Sequence, residues 1–501
     1  MSDAEVAARF DALQRKLVPL WTSIQTFTQD AQTIVVVPSI TLDSTIRGAR
    51  QQAYEERFLF LLLLLRQPRA RLIYVTSQAI HPEVIDYYLD LLPGVLASHA
   101  KKRLFLVSPL DGSSRPLSQK LLERPRLIQQ IRALIPDLDR AHLVPFNTTP
   151  LERDLALALG IPMYGADPKL THLGGKSGAR RIFAEEGVSH PLGVEHLHSA
   201  ADLGSALVEM RAHKPSLRKV VVKLNEGVSG EGNAHLDLEE LPEAGVSVGA
   251  ITDHLHALRF ESSEMTHDAY LAALAERGGI VEERIVGRDF RSPSAQLRVT
   301  PLGKVEALST HDQVLGGPSG QSYLGCSFPA NVEYGPAIMR EAMKVGQRLM
   351  REGVLGRFAL DFVAVRNQSG QWEVYAIEIN LRKGGTTHPF LTLQFLTDGS
   401  YNAETGVFLT PLGEPKCFIA SDHLESPRYR VFTHLDLFDI VARHGLHFDQ
   451  TRQRGVVFHM MNAIGESGLL GLTAVGNTHE EATSIYDRAV KALDDESSID
   501  D

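Results

Sequence analysis

Two apolar runs constrain this chain more than any other stretch: Gly356-Arg-Phe-Ala-Leu-Asp361-Phe, and Trp372-Glu-Val-Tyr-Ala-Ile-Glu378-Ile-Asn380-Leu-Arg382. Both read as strands, and both set carboxylates among residues that seek burial (Ala359, Leu360, Phe362 and Val363; Ala376, Ile377 and Ile379). A carboxylate in an apolar strand is costly unless a cation or a metal pairs with it. Side chains two apart on a strand share a face, so Glu378 and Asn380 project together, and Arg382 joins them if the strand persists. Oxygen donors of this kind suit Mg²⁺, which takes one or two carboxylates, waters and phosphate oxygens. Charged positions on the outer face of an antiparallel pair are the plainer alternative, and the apolar surroundings argue against it.

A second constellation lies far upstream. The strand-like Lys219–Leu224 enters Lys223-Leu-Asn-Glu-Gly227-Val-Ser229-Gly230-Glu-Gly232-Asn. Glycines let a loop turn its N–H groups toward phosphate oxygens, and Lys223 adds a point charge. Alone, such a loop is more often a hairpin turn; with the downstream carboxylates it becomes half of a nucleotide site. Gly174-Gly-Lys176-Ser177 is not a Walker A loop, because Leu170 stands where the pattern needs glycine. Lys176 opens a helix, where a cation sits poorly, which favours a ligand-facing role. Glu282-Glu283-Arg284-Ile285 reads as an edge strand or hinge, whose backbone would suit an adenine edge and whose carboxylates would suit ribose. The histidines show no H-E-x-x-H spacing, and Ser-centred catalysis has no support.

Residues before about 165 alternate strands with helices: strands at 33–40, 71–76 and 103–107, helices at 49–66 and 82–92. That spacing predicts a parallel α/β layer. From there to about 400 the pattern is α+β, with a Gly/Pro/Ser loop over 315–325. A third unit spans roughly 401–495, and an acidic tail begins near 494. The net charge of −10 argues against a nucleic-acid partner. The longest apolar run, Phe58–Leu65, is too short to span a bilayer and reads as a buried helix. Cys326 and Cys417 support neither a disulfide framework nor a thiolate zinc site. The first residues lack a secretory pattern, so a cytoplasmic location is expected.

The order of these parts resembles the ATP-grasp superfamily: Lys176, Lys223 with the glycine loop, Glu282–Ile285, Asp361, then Glu378-x-Asn380-x-Arg382 followed by Lys-Gly-Gly-Thr-Thr-His388-Pro. The wording is most similar to the pheganomycin-type peptide ligases, which carry a pre-ATP-grasp domain and a C-terminal domain. Asp361 departs from the Glu of many relatives; the shorter arm keeps the ligand chemistry. The resemblance implies an α/β (α+β) ATP-grasp fold: a Rossmann-like domain over 1–165, a two-lobed core over 166–400 and a small α+β domain over 401–495. It implies ATP held by Lys176, Lys223, Gly227, Ser229, Gly230, Gly232, Glu282, Glu283 and Ile285. Mg²⁺, or Mn²⁺ in its place, is implied on Asp361, Glu378 and Asn380, with Arg382 as the catalytic cation. The activity implied joins a small carboxylate to an amine (an amino acid or peptide) through an acyl phosphate. A kinase-type phosphotransferase and a non-catalytic nucleotide-binding regulator are the alternatives, and a homodimer without membrane partners is the expected assembly.

Overall fold

Thr33-Ile-Val-Val-Val is a β-branched run, which packs best on a pleated surface, and it forms the middle of a four-stranded sheet. The computed structural model describes the chain apart from residues 1, 27–30, 42–45, 47, 226–231, 243–245, 263–264, 317–321 and 499–501. Strands β1 (Gln32–Val37), β2 (Ala70–Val75), β3 (Leu104–Val107) and β4 (Ala141–Pro145) lie parallel in the order β3-β2-β1-β4. This is the predicted parallel layer, with β4 added to the three strands read from sequence. The single helix expected over 49–66 divides into an α-helix, Ala49–Glu56, and a 3₁₀ helix, Leu59–Arg66. The latter is wedged between β2 and the helices Pro82–Asp90 and Thr387–Thr397, which accounts for a run with no polar face.

A separate five-stranded antiparallel sheet follows, of β5 (Gly193–Leu197), β6 (Lys219–Leu224), β7 (Asn233–Asp237), β8 (Arg259–Phe260) and β9 (Gly279–Glu283). Its order is β5-β9-β6-β7-β8. Leu203, Leu207, Met210, Tyr270 and Leu274, from helices Ala200–His213 and His267–Arg277, close its own core. The expectation of an edge strand at Glu282 is corrected here. β9 is flanked on both sides, with Glu282 opposite Gly193 on β5 and Val221 on β6.

The largest sheet has nine strands. β10 (Arg288–Arg291), β11 (Pro293–Val299), β12 (Val305–Gly316), β13 (Ser322–Phe328), β14 (Gly356–Arg366) and β15 (Trp372–Asn380) build one part of it. Helix Gly335–Arg351 covers β11 and β12 with Ile338, Met339, Ala342, Val345 and Leu349, the apolar stripe that helical periodicity places on one face. In the predicted loop over 315–325, residues 315–316 and 322–325 belong instead to the paired strands β12 and β13, and 317–321 lie outside the described residues. Gly325 belongs to a strand because a Cβ there would meet the Ala420 carbonyl oxygen at 2.2 Å.

After a short hairpin of β16 (Ser400–Asn402) and β17 (Val407–Leu409), the chain returns to the same sheet. β18 (Cys417–Glu425) pairs with β13, and β20 (Leu469–Gly476) joins β18 to β19 (Gly455–His459). One hydrophobic cluster runs from Ile34 and Leu72 through Phe328 and Phe390 to Phe458 and Leu493, so both ends of the chain share a core. Phe328 is fully buried at its centre, stacked on Phe418 with ring centroids 4.9 Å apart. Truncating such a residue costs about 3–5 kcal/mol. Glu56, fully buried, adds a polar clasp: its carboxylate accepts from the amides of Met461 and Asn462, both at 2.7 Å. The last helix, His479–Glu496, takes in residues 494–496 that were expected to begin an acidic tail. Among the described residues no helix is long and apolar enough to cross a membrane.

Candidate active site

The two runs that look uniformly apolar in sequence are two-faced in space. Along β14 the even positions Phe358, Leu360 and Phe362 enter the core, while Ala359, Asp361 and Val363 face a cleft. β15 lies antiparallel beside it, with Asp361 opposite Glu378 and Ala359 opposite Asn380. A β-bulge after Asp361 leaves Ile377 as an extra residue, so Ile377 and Glu378 both border the cleft. β15 ends at Asn380, yet Arg382 still borders the same cleft.

Asp361 is held on both oxygens: Gln313 Nε2 donates to Oδ1 and Asn380 Nδ2 to Oδ2, each at 2.8 Å. Burial, then the neighbouring Glu378 carboxylate, pushes its pKa up to about 6, against the pull of Arg382, Gln313 and Lys176. Burial acts on Glu378 in the same sense, but the ion pair with Lys176, helped by Arg382 and Lys223, outweighs it and holds this carboxylate below its ordinary value. Two facing carboxylates with opposite shifts mark a place where negative charge is concentrated and a cation is wanted.

The opposite wall comes from the five-stranded lobe. Lys176 is the first residue of helix Lys176–Glu185, and its ammonium reaches Glu378. Asn225, just past β6, fastens this helix start to the lobe: its Oδ1 accepts from the Ser177 amide (3.2 Å) and hydroxyl (2.7 Å). Lys223, on β6, pairs with the buried Glu282, whose other oxygen accepts from Arg180 at 3.4 Å. Glu283 accepts from the Leu192 amide and pairs with Lys214, while its own amide donates to the Leu192 carbonyl at 2.8 Å.

A cavity of about 600 Å³ gathers Lys176, Lys223, Glu282, Glu283, Ile285, Asp361, Glu378, Asn380 and Arg382 on its walls, a volume in the range of nucleotide-sized sites. Gly232 does not join them. It closes the β6–β7 hairpin at φ +85°, its carbonyl accepting from the Leu224 amide (3.1 Å) and the Tyr270 hydroxyl (3.0 Å). Gly227, Ser229 and Gly230 lie outside the described residues.

Three contributors were not read from sequence. Gln313 and Ser294 reach the floor from β12 and β11, and only the sheet register, Ser294 opposite Asp361, reveals them. The Ser294 hydroxyl is buried with no partner among the described residues, which leaves an oxygen beside the carboxylates. Arg57 lines the cavity from the N-terminal α/β region, its guanidinium 4.5 Å from the Tyr54 ring centroid and 5.4 Å from that of Phe146. Carboxylate, amide and hydroxyl oxygens without sulfur or imidazole fit a hard divalent cation.

Two α/β lobes facing each other across such a cleft, lysines on one wall and oxygen donors on the other, define the ATP-grasp class. Residues 168–257 and 248–404 match the family described as IQCH-like, ATP-grasp, and residues 436–489 match the PGM1 C-terminal domain. The chain is 30% identical over 447 residues to L-propargylglycine–L-glutamate ligase of Streptantibioticus cattleyicolor, covering 87% of this chain and 88% of that protein. It is 23% identical over 549 residues to IQ motif-containing protein H of Danio rerio, covering 98% of this chain and 50% of that protein, so it spans half of that relative's length. A solved biotin carboxylase domain of Hydrogenobacter thermophilus 2-oxoglutarate carboxylase, in complex with MgADP, ADP and bicarbonate, superposes with a TM-score of 0.54. Its identity is 13%, over 92% of this chain and 89% of that one. The chain belongs to the ATP-grasp superfamily of carbon–nitrogen ligases, in the pheganomycin-type peptide ligase group.

Proposed function

We propose that this ligase activates the carboxylate of one amino acid or short peptide with ATP and joins it to the amine of another, releasing ADP and phosphate. The observation that carries the reading is the facing pair Asp361 and Glu378, set on a half-buried floor that Lys176 reaches from the opposite lobe, with Lys223 on the wall of the same cavity. In this arrangement Lys176 and Lys223 exchange their carboxylate partners for the phosphates of ATP. Asp361, Glu378 and Asn380 would hold Mg²⁺, which when bound neutralises charge on the β- and γ-phosphates. Gln313 keeps Asp361 turned toward that position. The hinge at Glu283 to Ile285 takes the adenine, with the Glu283 amide already committed to Leu192.

The substrate carboxylate attacks the γ-phosphorus, giving an acyl phosphate and ADP; the amine then attacks the acyl carbon and expels phosphate. Arg382 stabilises the oxygens that gain charge in the first step. Residues 1–165 and 401–495 shape the end of the cleft at Arg57, where the acceptor lies, around the core at 166–400. The relative's name points to two amino acids as the first substrates to try.

The reading is tested by an ADP-release screen across amino acids and dipeptides, with hydroxylamine as trap and mass spectrometry of products. A hydroxamate formed only with ATP and one acid supports it. ADP release with a stable phosphorylated product and no hydroxamate points to a phosphotransferase.

The Asp361 carboxyl also predicts a pH dependence. Its folded pKa, near 6, lies above the ordinary carboxylate value. Ionising it therefore costs stability as pH rises through 6, and a metal relieves that cost. ADP formation is expected to rise with pH across this range, with a midpoint that moves to lower pH as Mg²⁺ is increased, since proton and metal compete for the same oxygens. Rate–pH profiles at two Mg²⁺ concentrations read this directly; a midpoint indifferent to Mg²⁺ counts against the assignment.

A further inference from the structure

Next to Arg57, and not among the residues that line the cavity, three side chains from distant parts of the chain converge. His388 lies on helix Thr387–Thr397, six residues beyond Arg382, Asp422 on β18, and His459 at the end of β19. All three are buried. The Nε2 atoms of His388 and His459 are 3.0 Å apart, and Asp422 Oδ1 is 3.0 Å from the first and 2.9 Å from the second. The other Asp422 oxygen accepts from Arg57 Nη1 at 2.6 Å, which leaves Oδ1 alone to face the two rings. Gly471 stands opposite His459, where a Cβ would fall 2.2 Å from Nε2, so the ring's seat exists only because this residue has no side chain.

Hydrogen bonding explains this triangle incompletely. Each neutral imidazole brings at most one N–H to the corner, so at most two of the three edges can be hydrogen bonds. The third is then a close approach of two polar atoms with nothing between them. A metal ion accounts for all three edges at once. Donors about 2.0–2.1 Å from one ion and at right angles, as on one face of an octahedral site, lie about 2.9 Å apart, the size of the observed triangle. Two imidazoles and one carboxylate on one face, without thiolates, are ligands for a first-row divalent ion, with the remaining positions open to water.

We propose that His388, Asp422 and His459 form a second metal site, for a divalent transition ion of the Zn²⁺ type, separate from the Mg²⁺ floor. The ion fastens the helix that follows Arg382 to the C-terminal strands and, through Asp422 and Arg57, to the N-terminal region. It is a staple at the junction of all three, and it sets the position of Arg57 at the acceptor end of the cleft.

The test uses the full chain, stripped with chelator and titrated with Co²⁺ in a large excess of Mg²⁺. The expected result is one equivalent bound with a visible d–d band, displaced by Zn²⁺, and a melting temperature that Zn²⁺ raises. Glu378→Gln, in the ATP site, should keep the band. His459→Gln and Asp422→Asn should weaken binding by on the order of 100-fold or more and abolish the Zn²⁺ effect on melting. His388→Gln replaces either variant that fails to fold, and the wild-type titration stands independently of all three. A wild-type protein that shows no band and no Zn²⁺-dependent melting overturns the proposal, leaving a hydrogen-bonded triad. So does Co²⁺ binding that is the same in wild type and His459→Gln.

Discussion

Replacing Glu378 by Gln is expected to lower ATP-dependent ADP formation by on the order of 10³-fold while the protein remains folded. The change keeps the shape of the side chain and removes its charge. It acts twice, since the floor loses one of its two carboxylates and Lys176 loses its partner. The remaining carboxylate, Asp361, loses the like charge that helps to raise its pKa, so it should ionise at lower pH in the variant. Excess Mg²⁺ should recover little of the rate, because the ligand itself is gone. Steady-state ADP release, set beside thermal melting, separates this outcome from unfolding; turnover within a few-fold of wild type would remove Glu378 from the metal floor.

The second large effect is expected at Arg382. Arg382→Ala should reduce kcat by about 10²–10³-fold, on the scale of one lost donor to a developing oxyanion, with the KM for ATP changed by less than about threefold. Arg382 lies beyond the end of β15, and its one described hydrogen bond, to the Lys383 carbonyl, is long at 3.5 Å. The guanidinium is therefore held by position more than by partners, and its charge bears on both Asp361 and Glu378. Removing that charge should also move the pH midpoint of ADP formation upward. Arg382→Lys should restore the midpoint better than the rate, because a lysine supplies charge without the planar fork. A raised KM with an unchanged kcat would mean that Arg382 binds the ground state only.

Much of the site was legible because its chemistry is local. The two-residue spacing of Glu378 and Asn380 fixes a shared face on any strand, and a lysine followed by glycines marks a hairpin whichever role it serves. What failed to show were contributions that depend on register between distant strands. Gln313 and Ser294 are 48 and 67 residues from Asp361 in the chain, and nothing in their own neighbourhoods distinguishes them from ordinary polar strand residues. The apolar look of 356–363 hid an alternation because Ala359 and Val363 face the cleft while remaining hydrophobic. Glu282 was misplaced at an edge for a related reason: charged residues normally avoid interior strands, and only the nearby Lys223 and Arg180 make this position tolerable. The segment 315–325 read as a loop from its glycines, although two of them are placed by close strand packing.

The pairing of β13 with β18 has a consequence for how the chain is made. Residues 325–328 find their partners at 418–421, about ninety residues later, and the C-terminal strands and helices then supply a large share of the core around Phe328. While a ribosome is still producing that stretch, β13 presents an unsatisfied strand edge and an aromatic surface to the cell, the kind of edge that recruits other chains. Synthesis of this protein therefore has a vulnerable interval with a defined beginning and end. A ligase halted near residue 400 would carry every residue of the proposed metal floor and still be an aggregation-prone nascent chain.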